Sequence, residues 1–597
     1  MRRSTVFLGF TLIAGCALPP VTVSTERESY TPSRPADREL LPDEQVQQVL
    51  NRLAYGGRPG DAARVRALGV DRWIEAQLHP ATIVDTAVDR LAARYPSLNV
   101  PTAQLVATFQ TAQQIRRRVQ QQGVPDSMAR RREVIAGIVG NDPQKLDALQ
   151  MEQRLVPELQ AASLTRAVAS ERQLNEVMVN FWENHFSVFA QKGPQERLYL
   201  SAFDHDVIRP NALGRFRDLL GAVAHSPAML FYLDNWQSQA DSLHPTLGRA
   251  GRGGRGRGGF PPPRRAQGLN ENYARELMEL HTLGVDGGYS QTDVIEVARA
   301  LTGWSIAVNQ GGEFIFRPEA HDAGQKIVLG HVLKAGRGEQ DGEDVLDILA
   351  RQPATARFIT TKLARRFVSD DPPPGLIDRC AAIFTKTDGD IRQTVGCVVT
   401  SPEFFSRAAY RSKVKTPFEV VASALRAVDA VPDATPRAAQ AVAQLGQPIF
   451  GRQTPDGWPD RGDAWMNSGA ILNRINFGLI VASGRAPGVE AHRVAEIDAL
   501  RTASREAQVD GIVKLLFGGQ VSVDTRQVLL SGDNPLVNSL KPDSSMMPGP
   551  QPMGPPFGPP PFGGGRGRTP PPPRPIALQG ISQVLGLALG APEFQRR

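Results

Sequence analysis

The sequence predicts a mainly α fold: a large multi-helix domain with one small β-hairpin and two low-complexity insertions. Three observations carry this. Apolar residues recur at helical spacing along most of the chain, strand-like runs are confined to two short segments, and Pro/Gly-rich tracts interrupt the pattern twice. With 597 residues, 41% of them hydrophobic, the chain can bury a large core, which excludes a wholly disordered protein.

Regular patterning starts at Pro42-Asp43-Glu44, continues with Val46, Val49, Leu50 and Leu53, and breaks at Gly56-Gly57-Arg58-Pro59-Gly60. A second helix carries Val65, Leu68, Val70, Trp73, Ile74 and Leu78 as far as Pro80. Helical spacing then runs through 100–120, 128–170, 172–190, 196–203, 209–235, 270–283, 290–303, 343–350, 353–369, 375–386, 390–399 and 413–430. Phe314-Ile315-Phe316 and Ile327-Val328-Leu329 are expected to pair as the one hairpin. The insertions, 246–267 and 541–575, are too poor in apolar residues to offset their ordering entropy. Ile581, Val584, Leu585 and Leu589 restore the helical period, so a last helix over 576–592 should dock back on the body.

The start of the chain reads as an export signal over 1–15. Arg2 and Arg3 precede an apolar stretch too short to span a bilayer, and Leu12-Ile13-Ala14-Gly15-Cys16 resembles a bacterial lipobox. Cleavage there would leave Cys16 lipidated, with 16–41 as a flexible tether and 42–597 as the helical domain. Several acyl chains on one residue suffice for stable anchoring. The expected location is the periplasmic face of the envelope or the cell surface. Ala17, in place of the inner-membrane retention aspartate, leans toward the outer membrane.

Charge and cysteine usage narrow the partners. The net charge is +7, but Arg249, Arg252, Arg255, Arg257, Arg264 and Arg265 in the first insertion account for six of those charges. The rest of the chain is near neutral, which argues against a nucleic-acid partner. Cys380 and Cys397 lie in two apolar segments separated by Lys386-Thr387-Asp388-Gly389-Asp390. In an oxidising envelope this arrangement permits a disulfide, and two buried free thiols are the alternative.

Three clusters are candidates for chemistry. Asn270 to Gly284 reads as a capped helix bearing Glu276, Glu279 and His281, with Asn270 as N-cap. Neither Glu-x-x-His nor His-Glu-x-x-His spacing is present, so salt-bridged packing competes with a metal or acid/base role. In Asn180-Phe181-Trp182-Glu183-Asn184-His185-Phe186, His185 falls on the apolar stripe of Leu174, Met178 and Phe181. A histidine there is a hydrogen-bonded core residue or, if it faces a cleft, a neutral ligand or base. His321 and Asp322 are adjacent in a loop and can be aimed together. If Glu183, His185, Glu276, Glu279, His281, His321 and Asp322 converged, they would make a catalytic centre, with His185, Glu276 and His281 as ligands of a divalent metal. No other cofactor is indicated: Walker, Rossmann and Gly-x-Ser-x-Gly signatures are absent.

Read in order, these and further segments resemble the uncharacterised bacterial family known as domain of unknown function 1800. The carriers include Leu50-Asn51-Arg52-Leu53-Ala54-Tyr55-Gly56, Phe181 to Phe186, Tyr232-Leu233-Asp234-Asn235 and Asn270 to Gly284. Further on come Leu301-Thr302-Gly303-Trp304, His321-Asp322-Ala323-Gly324-Gln325-Lys326, Gly457-Trp458-Pro459 and Pro592-Glu593-Phe594-Gln595. The resemblance spans about 46 to 597. It implies an exported helical protein with no established activity. It also suggests as partner an exported protein of the family domain of unknown function 1501, which looks like sulfatases and alkaline phosphatases. Two functional expectations follow. One is a lipid-anchored scaffold or accessory protein of the envelope. The other is a metal-assisted or acid/base hydrolase acting on an envelope or extracellular polymer.

Overall fold

Several helix starts in this chain are set by short polar side chains that satisfy otherwise orphaned backbone N–H groups. Asn270 accepts from Tyr273 N, and Ser290 and Asp293 form a reciprocal capping box at the helix Gln291–Ala300. Thr416 and Glu419 repeat the box at Pro417–Ala427. The computed structural model describes residues 29–121, 128–241, 268–308, 310–533 and 578–597. Within them the protein is mainly α, with helices from Pro42–Arg52 to Gly580–Gly590 around a large apolar core that extends from Leu40 to Phe594, beside a small second cluster of Tyr95, Ala161 and Ala162. Cys16 and both insertions, 246–267 and 541–575, lie outside the described residues.

Several expectations need correction. The expected helix over 128–170 is two helices, Met128–Val139 and Pro143–Ala169. Gly140 takes a positive φ, Asp142 caps Gln144 N and Lys145 N, and Pro143 occupies the first turn, so local start chemistry overrides the apolar period. The single hairpin is replaced by three two-stranded antiparallel sheets. Phe314–Phe316 pairs with Trp304–Ile306, while Lys326–Val328 pairs with His331–Leu333. Leu329 and Gly330, both at positive φ, form the two-residue turn of the second hairpin. That turn gives Lys326–Val328 a neighbour at once, whereas pairing with 314–316 would need a long loop to close. The third sheet joins Ala430–Pro432 to Val489–Ala491.

The segment expected as a tether is docked from residue 29 onward. Ser29 N donates to Gln393 Oε1 (2.9 Å), Ser33 N to Thr400 O (2.9 Å) and Leu40 N to Phe405 O (3.2 Å). Arg38 lies over the Phe405 ring at 4.1 Å and pairs with Asp71 at 2.5 Å. These are single anchors without a period, which a search for periodicity does not register. Cys380 in Pro374–Lys386 and Cys397 in Ile391–Val399 are joined by a disulfide, with a Cα–Cα distance of 5.7 Å. The helix Gly580–Gly590 packs on Ser468–Ala482, where a Cβ at Gly478 would stand 3.0 Å from Gly586 O.

Candidate functional site: a pocket around Lys362

The seven candidate residues do not form one centre. Glu183 and His185 are two apart on one helix and point in different directions. Glu183 is buried beside Asp204, in a network where Arg209 bonds both Asp204 (3.1 Å) and Glu176 (2.7 Å). Burial and the neighbouring Asp204 push the Glu183 carboxyl well up. Burial acts in the same sense on Asp204, but Arg209 and Arg166 outweigh it and hold that group at about 2.

His321 and Asp322 belong to another buried network. His321 Nδ1 donates to Thr302 O (2.8 Å), and Arg299 Nε donates to Asp322 (2.7 Å). Glu279 accepts from the Tyr289 hydroxyl at 3.2 Å. Among the described residues no group of three or more His, Cys, Asp or Glu side chains is arranged to hold a metal. The expected ligand set His185, Glu276 and His281 is thus not assembled, since His281 Nε2 is buried without a partner and His185 is engaged elsewhere.

The structure does bring His185 and His281 together, and with them a lysine that the sequence did not single out. Lys362, on the helix Pro353–Phe367, places Nζ 2.8 Å from His185 Nδ1, and His185 Nε2 lies 3.1 Å from His281 O. An ammonium only donates and a carbonyl only accepts, so His185 is the neutral tautomer that carries its proton on Nε2. Burial, then the Lys362 charge, holds His185 well below the ordinary histidine range and His281 at about 3. Burial likewise lowers Lys362 to about 8. Its ammonium approaches the Phe358 ring at 5.3 Å. Phe358 fits there because Gly284, at positive φ, has no Cβ: one would stand 2.8 Å from the ring.

Lys362 opens on a cavity of about 270 Å³, with Phe181, Asn180 and Trp458 among its walls. The rim segment Gly457-Trp458-Pro459 is fixed by Asn184, which accepts from Trp458 N (2.7 Å) and donates to Trp458 O (2.9 Å). Gly457 has φ +74°, and a Cβ on it would stand 2.2 Å from Asn184 O. Beyond the rim, Lys413 Nζ donates to Asp460 O (3.0 Å) and Trp465 Nε1 to Pro459 O (2.9 Å).

The charges lining the cavity are unevenly matched. Arg366 pairs with Glu419 (2.8 Å), Arg461 with Asp371 (3.0 Å), Asp456 with Arg452 (2.9 Å) and Asp460 with Lys413 (3.3 Å). Lys362 and Arg365 have no carboxylate within 4.0 Å among the described residues. Glu276 is half-buried nearby; burial, then Glu279 and Asp456, raises its carboxyl.

Sequence reasoning missed Lys362 and Arg365 because basic residues toward the C-terminal end of a helix read as dipole complements in solvent. The Gly457-Trp458-Pro459 segment was the available signal, since a glycine beside a rigid aromatic–proline pair marks a constrained loop.

The body is mainly helical, with three small two-stranded sheets, and carries a polar cavity lined by Lys362 and three arginines. The chain belongs to the DUF1800 family of proteins of unknown function, whose family model matches residues 48–596. No curated protein and no solved structure matches it.

Proposed function

We propose that this chain is a lipid-anchored accessory protein of the cell envelope and that the Lys362 cavity is its working site. Cys16 in its lipobox-like setting supports the anchor. No helix among the described residues is long and apolar enough to cross a membrane. The observation that carries the reading is Lys362 itself. An ammonium partly withdrawn from water is costly when its close partners are a neutral imidazole and a ring face and Asp456 and Asp460 stand beyond 4.0 Å, and a mere spacer has no use for it. On this reading the body receives a ligand and acts alongside another exported protein, for which a member of domain of unknown function 1501 is the proposed partner.

A second reading, acid/base hydrolysis of an envelope polymer, draws on the same group. A lysine held at about 8 exchanges protons near neutral pH. It requires turnover of a polymer by the purified protein, whereas the accessory reading requires none.

Cys16→Ser should move the protein out of the membrane fraction. Lys362→Met should leave it membrane-bound and folded but abolish its function in cells. A Lys362→Met strain indistinguishable from wild type would remove the cavity from the proposal.

A further inference from the structure

Lys362 and Arg365 stand at i and i+3 on one helix, so both project from the same face. Arg365 contributes to the lowering of the Lys362 pKa, which means the two cations repel each other. Lys362 spends one of its three N–H donors on His185, and Arg365 spends Nε on Asp370 O (3.1 Å). The remaining donors of both, two ammonium hydrogens and the terminal guanidinium nitrogens, have no protein acceptor among the described residues. The other two lining arginines are already neutralised, Arg366 by Glu419 and Arg461 by Asp371.

We propose, building on the reading of the cavity as a ligand site, that it takes a small organic carboxylate. The carboxylate sits between Lys362 and Arg365, and the organic body lies toward Phe181 and Trp458. A guanidinium fork and an ammonium together supply the charge-assisted donors that two carboxylate oxygens require. The size agrees, because a cavity of about 270 Å³ admits a ring-sized molecule. Asp456 and Asp460 also line the cavity, so a doubly charged phosphate would meet like charges that a single carboxylate meets less strongly. The Asn180 side chain, also in the wall, has no hydrogen-bond partner among the described residues and is free for a polar group on the ligand body.

Calorimetric titration of the full-length protein in detergent with benzoate, benzamide and inorganic phosphate tests this. Benzoate should bind at one saturable site and benzamide, of the same shape but uncharged, should not. Lys362→Met and Arg365→Gln should each weaken benzoate about tenfold or more, the loss expected for one charge-assisted contact. Arg365 is partly exposed, so its variant keeps the fold if Lys362→Met does not. Absence of saturable benzoate binding, binding undiminished in both variants, or phosphate binding more tightly than benzoate would each overturn the assignment. These outcomes are read on purified protein and are separate from membrane attachment and function in cells, which test the reading beneath it.

Discussion

Lys326 and Lys362 are both drawn into the body, and the protein treats them in opposite ways. Lys326 is fully buried and uses all three donors, on Asp322 O (2.6 Å), Gly324 O (2.9 Å) and Asp341 Oδ2 (2.7 Å). Every donor of Lys326 is thus spent inside the body. His321 Nε2 lies 3.3 Å from the same Asp341 oxygen, and Arg299 takes both oxygens of Asp322. Burial alone would raise the Asp341 carboxyl, but bonds from His321 and Lys326 outweigh it and keep it below the usual range. Lys362 has a neutral imidazole, a ring face and an open cavity. The lesson concerns completeness rather than composition: a buried charge with every donor satisfied holds the fold, whereas one with donors left over marks a place where something else binds.

The comparison breaks most sharply at Lys326. Lys326→Met removes three hydrogen bonds and leaves Asp341 buried beside His321 without its main countercharge. The expected loss is about 3–5 kcal/mol, the usual cost of taking one partner from a buried pair. A urea unfolding midpoint measures it, and a loss below about 1 kcal/mol would show that this network is not structural.

Gly457→Ala comes next and acts on the other region. The new methyl must enter a backbone conformation with φ +74° and would stand 2.2 Å from Asn184 O. The rim has to shift, at about 1–3 kcal/mol. Because that rim carries Trp458, benzoate affinity should fall together with stability. Lys326→Met, where it remains folded, should leave that affinity unchanged. Equal loss of affinity in both variants would erase the distinction between the two regions.

Much of the fold was legible because helices announce themselves through apolar period and caps. The boxes at Ser290–Asp293 and the cap at Asn270 are local chemistry, and the sequence contains all of it. The strand pairings were less so: choosing a partner for Phe314–Phe316 depends on the turn at Leu329-Gly330 and on where Trp304 emerges from its helix. Of the site, the aromatic–histidine stripe pointed to His185, and the Asn270–Gly284 stretch pointed to His281. Their meeting with Lys362 depends on Phe358 packing against Gly284, a contact between segments more than seventy residues apart. His321 and Asp322 stood out for a good reason, namely a dense polar motif in a loop, yet Arg299, Lys326 and Asp341 absorb them into structure. No spacing rule distinguishes a polar motif that is saturated from one that is not.

The smallest effect is the most discriminating, because its sign differs between the two lysines. In Lys362→Met an apolar side chain of similar length replaces an ammonium whose facing carboxylates, Asp456 and Asp460, stand beyond ion-pair distance. It should raise stability at pH 7 by about 1 kcal/mol, where Lys326→Met lowers it. The gain should also depend on pH. Lys362 is held at about 8 in the folded protein, whereas an unfolded lysine titrates near about 10.4. Between these values the unfolded chain binds more protons than the folded one, so wild-type stability rises with pH as the cost of the buried charge disappears. Lys362→Met lacks that rise, so its advantage should shrink and then reverse as pH climbs through this window, because about 2.4 pKa units correspond to about 3 kcal/mol. Other groups titrate nearby, notably Lys415 at about 7, while His185 and His281 are already neutral throughout. Taking the difference between wild type and variant at each pH removes the contribution of Lys415. A pH-independent difference, or a variant less stable than wild type at pH 7, would mean that Lys362 is satisfied in the folded state and that the two lysines are alike after all.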